Sequence, residues 1–227
     1  MPTLNASKWT RAELGAQSSH ANARDGSTWN GHTTDFTTNN TGIVGYQRVR
    51  GRGGDLYKTI RTFFYFDTSG ITGTVSAATL NMTGYWAGSA DVIVVPSTAF
   101  AGDGSADMVS SEYGNISFNT NYGSEVTSWS TSGNNAITLA STALTNIKDN
   151  DYFICALIEH DQDYLDSAPT STISVFNGVD FSSQVAYLDY TVATAGYGNR
   201  VIPVPAAHIG EINGIPTANV SKVIGVS

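Results

Sequence analysis

The chain has 227 residues and a formal net charge of −8, with only 11 Lys and Arg residues. Affinity for a nucleic-acid backbone comes from clustered basic side chains, so this composition argues against a nucleic-acid partner. No apolar run approaches the roughly 20 residues of a membrane-spanning helix, so we expect no membrane partner. A single all-β domain fits this length, and the lone Cys155 excludes an intrachain disulfide.

The first 28 residues show no sustained periodicity. Ser7 could cap a short helix over Trp9 to Leu14, which Gly15 would end, and an ordered arm fits equally well. We therefore assign residues 1–28 to an N-terminal arm and begin the folded domain at Trp29.

The strongest strand signal lies between Arg61 and Tyr85. Apolar residues and Thr at even positions from Ile60 to Phe66 alternate with odd positions of mixed character, which is typical of a strand with one buried face. Turn residues follow, and the alternation resumes at Ala78, Leu80 and Met82. The pattern predicts two neighbouring strands that share a core.

Further short strands are predicted downstream, separated by turns. They are Asp91 to Pro96, Ala136 to Leu139, Tyr152 to Glu159, Ile173 to Phe176 and Val185 to Val192. The glycine-rich region 101–133 indicates long loops, and Ser141 could cap one or two helical turns. Residues 29–192 are thus predicted to form an antiparallel β-sandwich.

The densest acidic group follows the strand that ends at Glu159. It contains Asp161, Asp163 and Asp166, and oxygen ligands at alternate positions suit calcium. The ordered spacing and the glycine of an EF-hand loop are missing, so a solvated acidic turn is the favoured interpretation. We expect no metal or other cofactor, with these three residues as the calcium candidates.

Motifs for catalysis are missing from the sequence. There is no nucleophile elbow, zinc-ligand spacing or phosphate-binding glycine loop, and the four histidines are scattered. We assign no catalytic residue and expect that the chain is not an enzyme. Three tryptophans, Trp29, Trp86 and Trp129, are candidates for stacking on sugar rings, although such residues more often fill a core or anchor an interface.

The last segment, 193–227, is predicted to be a linker followed by a docking arm. Gly and Pro residues follow Val192, and IGEINGIP at 209–216 then aligns with VSKVIGVS at 220–227. Burial of the aligned apolar side chains is energetically favourable, either on this chain or on a partner. They are Ile209, Ile212, Ile215, Val220, Val223 and Val226.

Two stretches together resemble a known family. RTFFYFDTSGI followed by VSAATLNM is similar to the signature of DNRLRE-type and disaggregatase-related β-sandwich domains, and the order of the downstream strands also matches, over about residues 29–192. EINGIPTANVSKVIGV is similar to the "KVNGV"-like repeats that end virion proteins of tailed bacteriophages. The resemblance implies a jelly-roll-like sandwich and offers no catalytic residues.

From this resemblance we expect a structural protein of a tailed-bacteriophage virion. Capsid decoration is favoured over a tail or fibre role, with the terminal arms docking on other virion proteins. Assembly in the host cytoplasm would explain the absence of an export signal. A homo-oligomer is expected, with a trimer as the first guess. The alternative is a carbohydrate-binding module that attaches to host or matrix glycans; a polysaccharide-degrading enzyme ranks lowest.

Overall fold

A computed structural model describes residues 1–33, 41–182 and 185–193, together with 211–212 and 215–216. Its strands are β1 (Thr3–Asn5), β2 (Lys8–Gln17), β3 (Gly31–Thr33), β4 (Thr41–Gly51), β5 (Gly54–Asp67), β6 (Val75–Gly88), β7 (Val92–Pro96), β8 (Asn134–Thr138), β9 (Tyr152–Glu159), β10 (Ile173–Asp180), β11 (Tyr187–Val192), β12 (Glu211–Ile212) and β13 (Ile215–Pro216). The α-helices are α1 (His20–Asp25) and α2 (Ser141–Asp149), short 3₁₀ turns span Phe100–Gly102 and Ser110–Glu112, and a π-helical turn spans His160–Tyr164.

The strands form an antiparallel sandwich, which confirms the predicted fold class. One layer has the order β1-β11-β6-β10-β4, with β8 also paired to β6. The other has the order β3-β2-β5-β9-β7. Strand β4 joins the layers, because Gly45 to Gly51 pair with β5 while Thr41 to Arg48 pair with β10.

The main core lies between the two layers. Phe64 and Phe66 of β5 pack with Ala78, Leu80 and Met82 of β6, as the alternation predicted, and all five side chains are at most 3% exposed. Strand β9 adds further apolar side chains from the same layer as β5. The alternation of β5 and β6 is therefore the sequence signal that defines this core.

A second core covers the outer face of the β2-β5-β9-β7 layer. Phe63 of β5 and Ile154 of β9 pack there against Phe100, Met108 and Tyr113. Met108 and Tyr113 belong to the glycine-rich region 101–133 that was predicted to be long loops, and Phe100 directly precedes it. The structure shows this segment to be a packed cover. Strands β5 and β9 are consequently buried on both faces, and two residues of the odd face, Arg61 and Phe63, are fully buried.

The N-terminal residues form part of the sandwich, so their assignment to an arm was wrong. Strand β1 pairs with β11, and β2 pairs with β5 from Lys8 to Gln17. Trp9 is 2% exposed and Ala12 is fully buried, on opposite sides of the layer. Ser19 caps α1 by accepting a hydrogen bond from the backbone N–H of Asn22. Both faces of β2 are buried, which explains why its sequence lacks clear alternation.

Strands β12 and β13 form a separate antiparallel pair near the end of the chain. Glu211 is opposite Pro216, and Ile212 is opposite Ile215. The other docking-arm candidates, Ile209, Val220, Val223 and Val226, lie outside the described residues. Within the described part of the chain, no helix is long and apolar enough to cross a membrane.

Candidate functional site

Two adjacent aromatic side chains are exposed on the outer face of the β6-β10 pair. Tyr85 is 62% exposed and Trp86 is 46% exposed. A β-bulge interrupts the register here, because Val179 pairs with Gly84 and Gly178 pairs with Trp86, which leaves Tyr85 as an extra residue. The extra residue reverses the alternation, so successive side chains that would normally face opposite sides lie on the same face.

Gly178 leaves space beneath this pair. A Cβ atom at Gly178 would lie 3.4 Å from Cδ1 of Tyr85 and 3.4 Å from Cβ of Trp86, which places both side chains on its side of the sheet. A Cβ at this position would be in van der Waals contact with both side chains. We call Tyr85 and Trp86, together with the underlying Phe176, the aromatic pair and its support.

Phe176 supports the indole ring from below. It alternates with Gly178 along β10 and therefore lies on the same face, where it is 8% exposed. Its ring centroid is 6.2 Å from that of Trp86, with an angle of 22° between the planes. A Cβ at Gly45 of the adjoining strand would come within 2.4 Å of Cδ1 of Phe176, so this glycine makes room for the supporting ring.

Polar side chains border the support on the same face. Ser174 precedes Phe176 by two residues on β10 and pairs with Gln47 of β4. The amide Nε2 of Gln47 donates a hydrogen bond to Oγ of Ser174 at 3.2 Å. An exposed flat ring next to neutral donors and acceptors matches the amphipathic faces of a sugar, which combine C–H and hydroxyl groups.

The structure does not bring the three candidate tryptophans together. Trp129 packs against the main core, and its Nε1–H donates to the carbonyl oxygen of Gly178 at 3.0 Å. Trp29 is half-buried against the second core, with its ring centroid 5.1 Å from that of His32. Trp86 is the exposed one of the three, and its neighbour on the surface is Tyr85. The sequence carries no signal for this pair, because Trp86 continues the even-numbered series of Ala78, Leu80 and Met82, and only the register with β10 reveals the bulge.

The three calcium candidates are likewise separated, each with a different partner. Asp163 is fully buried and accepts from Nε and Nη2 of Arg61 at 2.8 and 2.6 Å. Asp166 lies 3.1 Å from Nε2 of His20, and Asp161 lies 3.1 Å from Nδ1 of His160. The three carboxylates therefore do not form one calcium site in this structure. The carboxylate of Asp163 faces the interior, and its charge is already neutralised by Arg61.

Arg61 joins the π-helical turn to two other segments. Beyond Asp163, its guanidinium donates to the carbonyl oxygens of Tyr113 at 3.1 Å and Arg24 at 2.5 Å. Its Cζ also lies 4.4 Å from the ring centroid of Tyr113. All these partners are groups of the protein itself, so we assign this residue to the fold and not to ligand binding.

Glu159 ends β9 and organises the π-helical turn. Its carboxylate accepts hydrogen bonds from the backbone N–H groups of Asp161, Gln162 and Asp163 at 3.0, 2.6 and 3.1 Å. Burial raises the pKa of this carboxyl from its usual 4.5 to about 7, although the three donors act in the opposite direction. The group therefore titrates near neutral pH while it holds the turn.

His160 lies between two carboxylates at the surface. Its Nδ1 is 3.2 Å from Oε1 of Glu125 and 3.1 Å from Oδ1 of Asp161. The imidazole ring stacks on Tyr164, with centroids 5.9 Å apart and 21° between the planes. Among the described residues, the side chains of Glu125, His160 and Asp161 form the group of acidic and histidine residues that lie close enough together to hold a metal ion. Glu125 was not expected here, because its contact with His160 spans distant parts of the chain.

No protein-family model matches the sequence. A search of curated proteins found no significant match.

Proposed function

We propose that the chain is a structural protein of a tailed-bacteriophage virion that docks through its C-terminal segment. The observation that carries the proposal is the closure of the sandwich before that segment begins. Strand β1 lies at one edge of its layer on β11, which ends at Val192, and the backbone N–H of Ala193 donates to the carbonyl of Thr74. Among the residues that the structure describes, strands β12 and β13 pair with each other and not with either layer.

The composition of the segment supports a role in docking. It repeats apolar residues at matched positions in 209–216 and 220–227. Burial of such side chains contributes roughly 1.5 to 3 kcal/mol each, so the repeat would provide a substantial part of the affinity for a partner surface. The resemblance of this repeat to the terminal segments of virion proteins selects the class of partner. Capsid decoration remains the favoured role, in a homo-oligomer.

Incorporation into particles tests this proposal. We expect wild-type protein to copurify with virus particles in a fixed ratio, and a variant without residues 209–227 to fold normally and be absent from particles. Charged substitutions in the repeat, Val223→Asp with Ile212→Asp, should also abolish incorporation. The double variant Asn213→Asp with Ser221→Asp is the matched control, because it adds the same two charges at polar positions. Normal incorporation of the truncated protein would overturn the docking role.

A second candidate function is carbohydrate binding by the aromatic pair. Tyr85 and Trp86 are exposed side by side, so they present one continuous aromatic surface on which a ligand could stack. Phe176 holds the indole in place from below, so the ring is ordered before a ligand arrives. Stacking on a pyranose ring would cover this area, and Gln47 and Ser174 provide hydrogen-bonding groups on the same face.

Binding to a glycan array followed by titration tests this second candidate. We expect Trp86→Ala and Tyr85→Ala to weaken binding at least tenfold without a change in folding. Leu165→Ala is the control, because Leu165 is 56% exposed but belongs to the turn after β9. Equal affinity of the wild type and Trp86→Ala for every bound glycan would remove the aromatic pair from the site.

A further inference from the structure

We propose that Glu125, His160 and Asp161 form a binding site for a divalent transition-metal ion such as Zn²⁺. The inference is independent of both proposed functions. One ligand atom from each residue lies within 4.8 Å of the other two. The set contains one imidazole nitrogen and two carboxylate oxygens, drawn from two distant segments of the chain.

The spacing of these atoms matches a metal coordination sphere. Nδ1 of His160 lies 3.2 Å from Oε1 of Glu125 and 3.1 Å from Oδ1 of Asp161. Ligands about 2.1 Å from a tetrahedral zinc ion are separated by about 3.4 Å, so small side-chain shifts would accommodate the ion. A nitrogen ligand favours zinc and other transition metals over calcium and magnesium, which prefer oxygen ligands alone.

Backbone hydrogen bonds hold both segments in place without a metal. The N–H of His160 donates to the carbonyl of Asp91 at 2.7 Å, and the N–H of Asp161 donates to the side-chain Oε1 of Glu159 at 3.0 Å. On the other side, Val126 exchanges two backbone hydrogen bonds with Val92, at 2.8 and 3.0 Å, which positions the adjoining Glu125. The ligands are therefore arranged before the ion binds, which reduces the entropy lost on binding.

The site also has access to solvent. Glu125 and His160 line a surface groove of about 590 Å³, together with Tyr164, whose ring stacks on the imidazole. Three protein ligands leave a fourth position for water or for a ligand atom that enters through the groove. A bound ion would link the loop that carries Glu125 to the end of β9, where His160 and Asp161 begin the π-helical turn.

Calorimetric titration of tag-free, chelator-treated protein with ZnCl₂ tests the site. We expect one Zn²⁺ per chain, a rise in melting temperature with added Zn²⁺, and at least tenfold weaker binding to Glu125→Gln and to His160→Gln. Glu125→Gln is the more decisive variant, because its side chain is partly exposed and its loss leaves the turn intact. His32→Ala and Asp149→Asn, at exposed positions on other parts of the surface, are the controls and should bind as the wild type does.

Two results would overturn the proposal. One is the absence of Zn²⁺ binding, or binding that both Glu125→Gln and His160→Gln retain; the imidazole and the two carboxylates would then only contact each other and hold no ion. The other is equal affinity for Ca²⁺ and Zn²⁺, which would show that the imidazole is not a ligand.

Discussion

Arg61 and Asp163 form an ion pair whose two side chains are both fully buried. Replacing either residue alone leaves the opposite charge inside the second core without a partner, which costs more than the pair itself contributes. We expect Arg61→Ala and Asp163→Ala each to lower the free energy of unfolding by about 3 to 5 kcal/mol, measured by urea denaturation.

The double variant Arg61→Met with Asp163→Leu separates this charge effect from packing. It should be more stable than either single variant, because no uncompensated charge remains buried. Single variants that lose less than about 0.5 kcal/mol, as surface substitutions do, would contradict the burial of the pair.

Glu159 should make stability depend on pH. Its carboxyl has a pKa of about 7 in the folded protein and a usual value of 4.5, so the folded state holds its proton to higher pH. The stabilising contribution is complete below pH 4.5 and is lost as the pH rises through 7, by at most about 3 kcal/mol. The difference in unfolding free energy between wild type and Glu159→Gln should therefore change with pH across this window. A constant difference from pH 4.5 to 7.5 would show that the carboxyl has its usual pKa.

At the scale of single elements, the bulge in β6 should make Tyr85 dispensable. Removing this residue joins Gly84 to Trp86 and restores regular pairing with Val179 and Gly178, so both halves of the strand keep their faces. We expect the deletion variant to fold with a loss of about 1 kcal/mol or less, measured by urea denaturation.

Deleting Thr79 from the same strand is the matched control. Thr79 lies in a regular part of the ladder, opposite both Thr138 and Asp189, so its removal turns one half of the strand to the wrong face. This variant should not fold. A similar loss for the two deletions would mean that Tyr85 is not the bulged residue.

The inner faces of β5 and β6 could be predicted from sequence, because the residues of the main core alternate along both strands. Phe64, Phe66 and Leu80 follow period-two alternation, and the structure places all three between the layers. The burial of Arg61 could not be predicted in this way, since it depends on α1, Tyr113 and Asp163 covering the outer face of β5. Those contacts span from 37 to 102 residues, beyond the range of any local pattern.

The candidate sites were predictable to a similar extent. Trp86 was a candidate on residue type alone, whereas its pairing with Tyr85 required the register of β10. Asp161 was recognised within the acidic turn, but the nearest carboxylate to His160 outside that turn, Glu125, is 35 residues earlier in the chain. Side chains that meet through tertiary packing leave no spacing signal in one sequence.

At the scale of the whole molecule, the two ends of the chain should differ in their importance for folding. Strand β2 lies inside its layer and contributes Trp9 to the main core, so a chain that begins at residue 18 should fail to fold. A chain that ends at residue 193 retains both layers, and we expect its unfolding free energy to be within about 1 kcal/mol of the full-length value. Chemical denaturation followed by tryptophan fluorescence measures both.

A cooperative transition for the chain that begins at residue 18 would contradict the position of β2. A large loss of stability on removing residues 194–227 would show that they pack on the sandwich.

The length of β6 separates the aromatic pair from the start of the C-terminal segment. The strand pairs with Val192 of β11 through Val75 at one end and with Gly178 of β10 through Trp86, 11 residues later, near the other. At roughly 3.3 Å per residue, the aromatic pair is about 35 Å from the point where the C-terminal segment leaves the sandwich. In a protein anchored by that segment, Tyr85 and Trp86 would lie far from the anchoring surface and remain accessible to a ligand. The docking segment and the sugar-binding surface would then lie at opposite ends of β6, so that neither would obstruct the other.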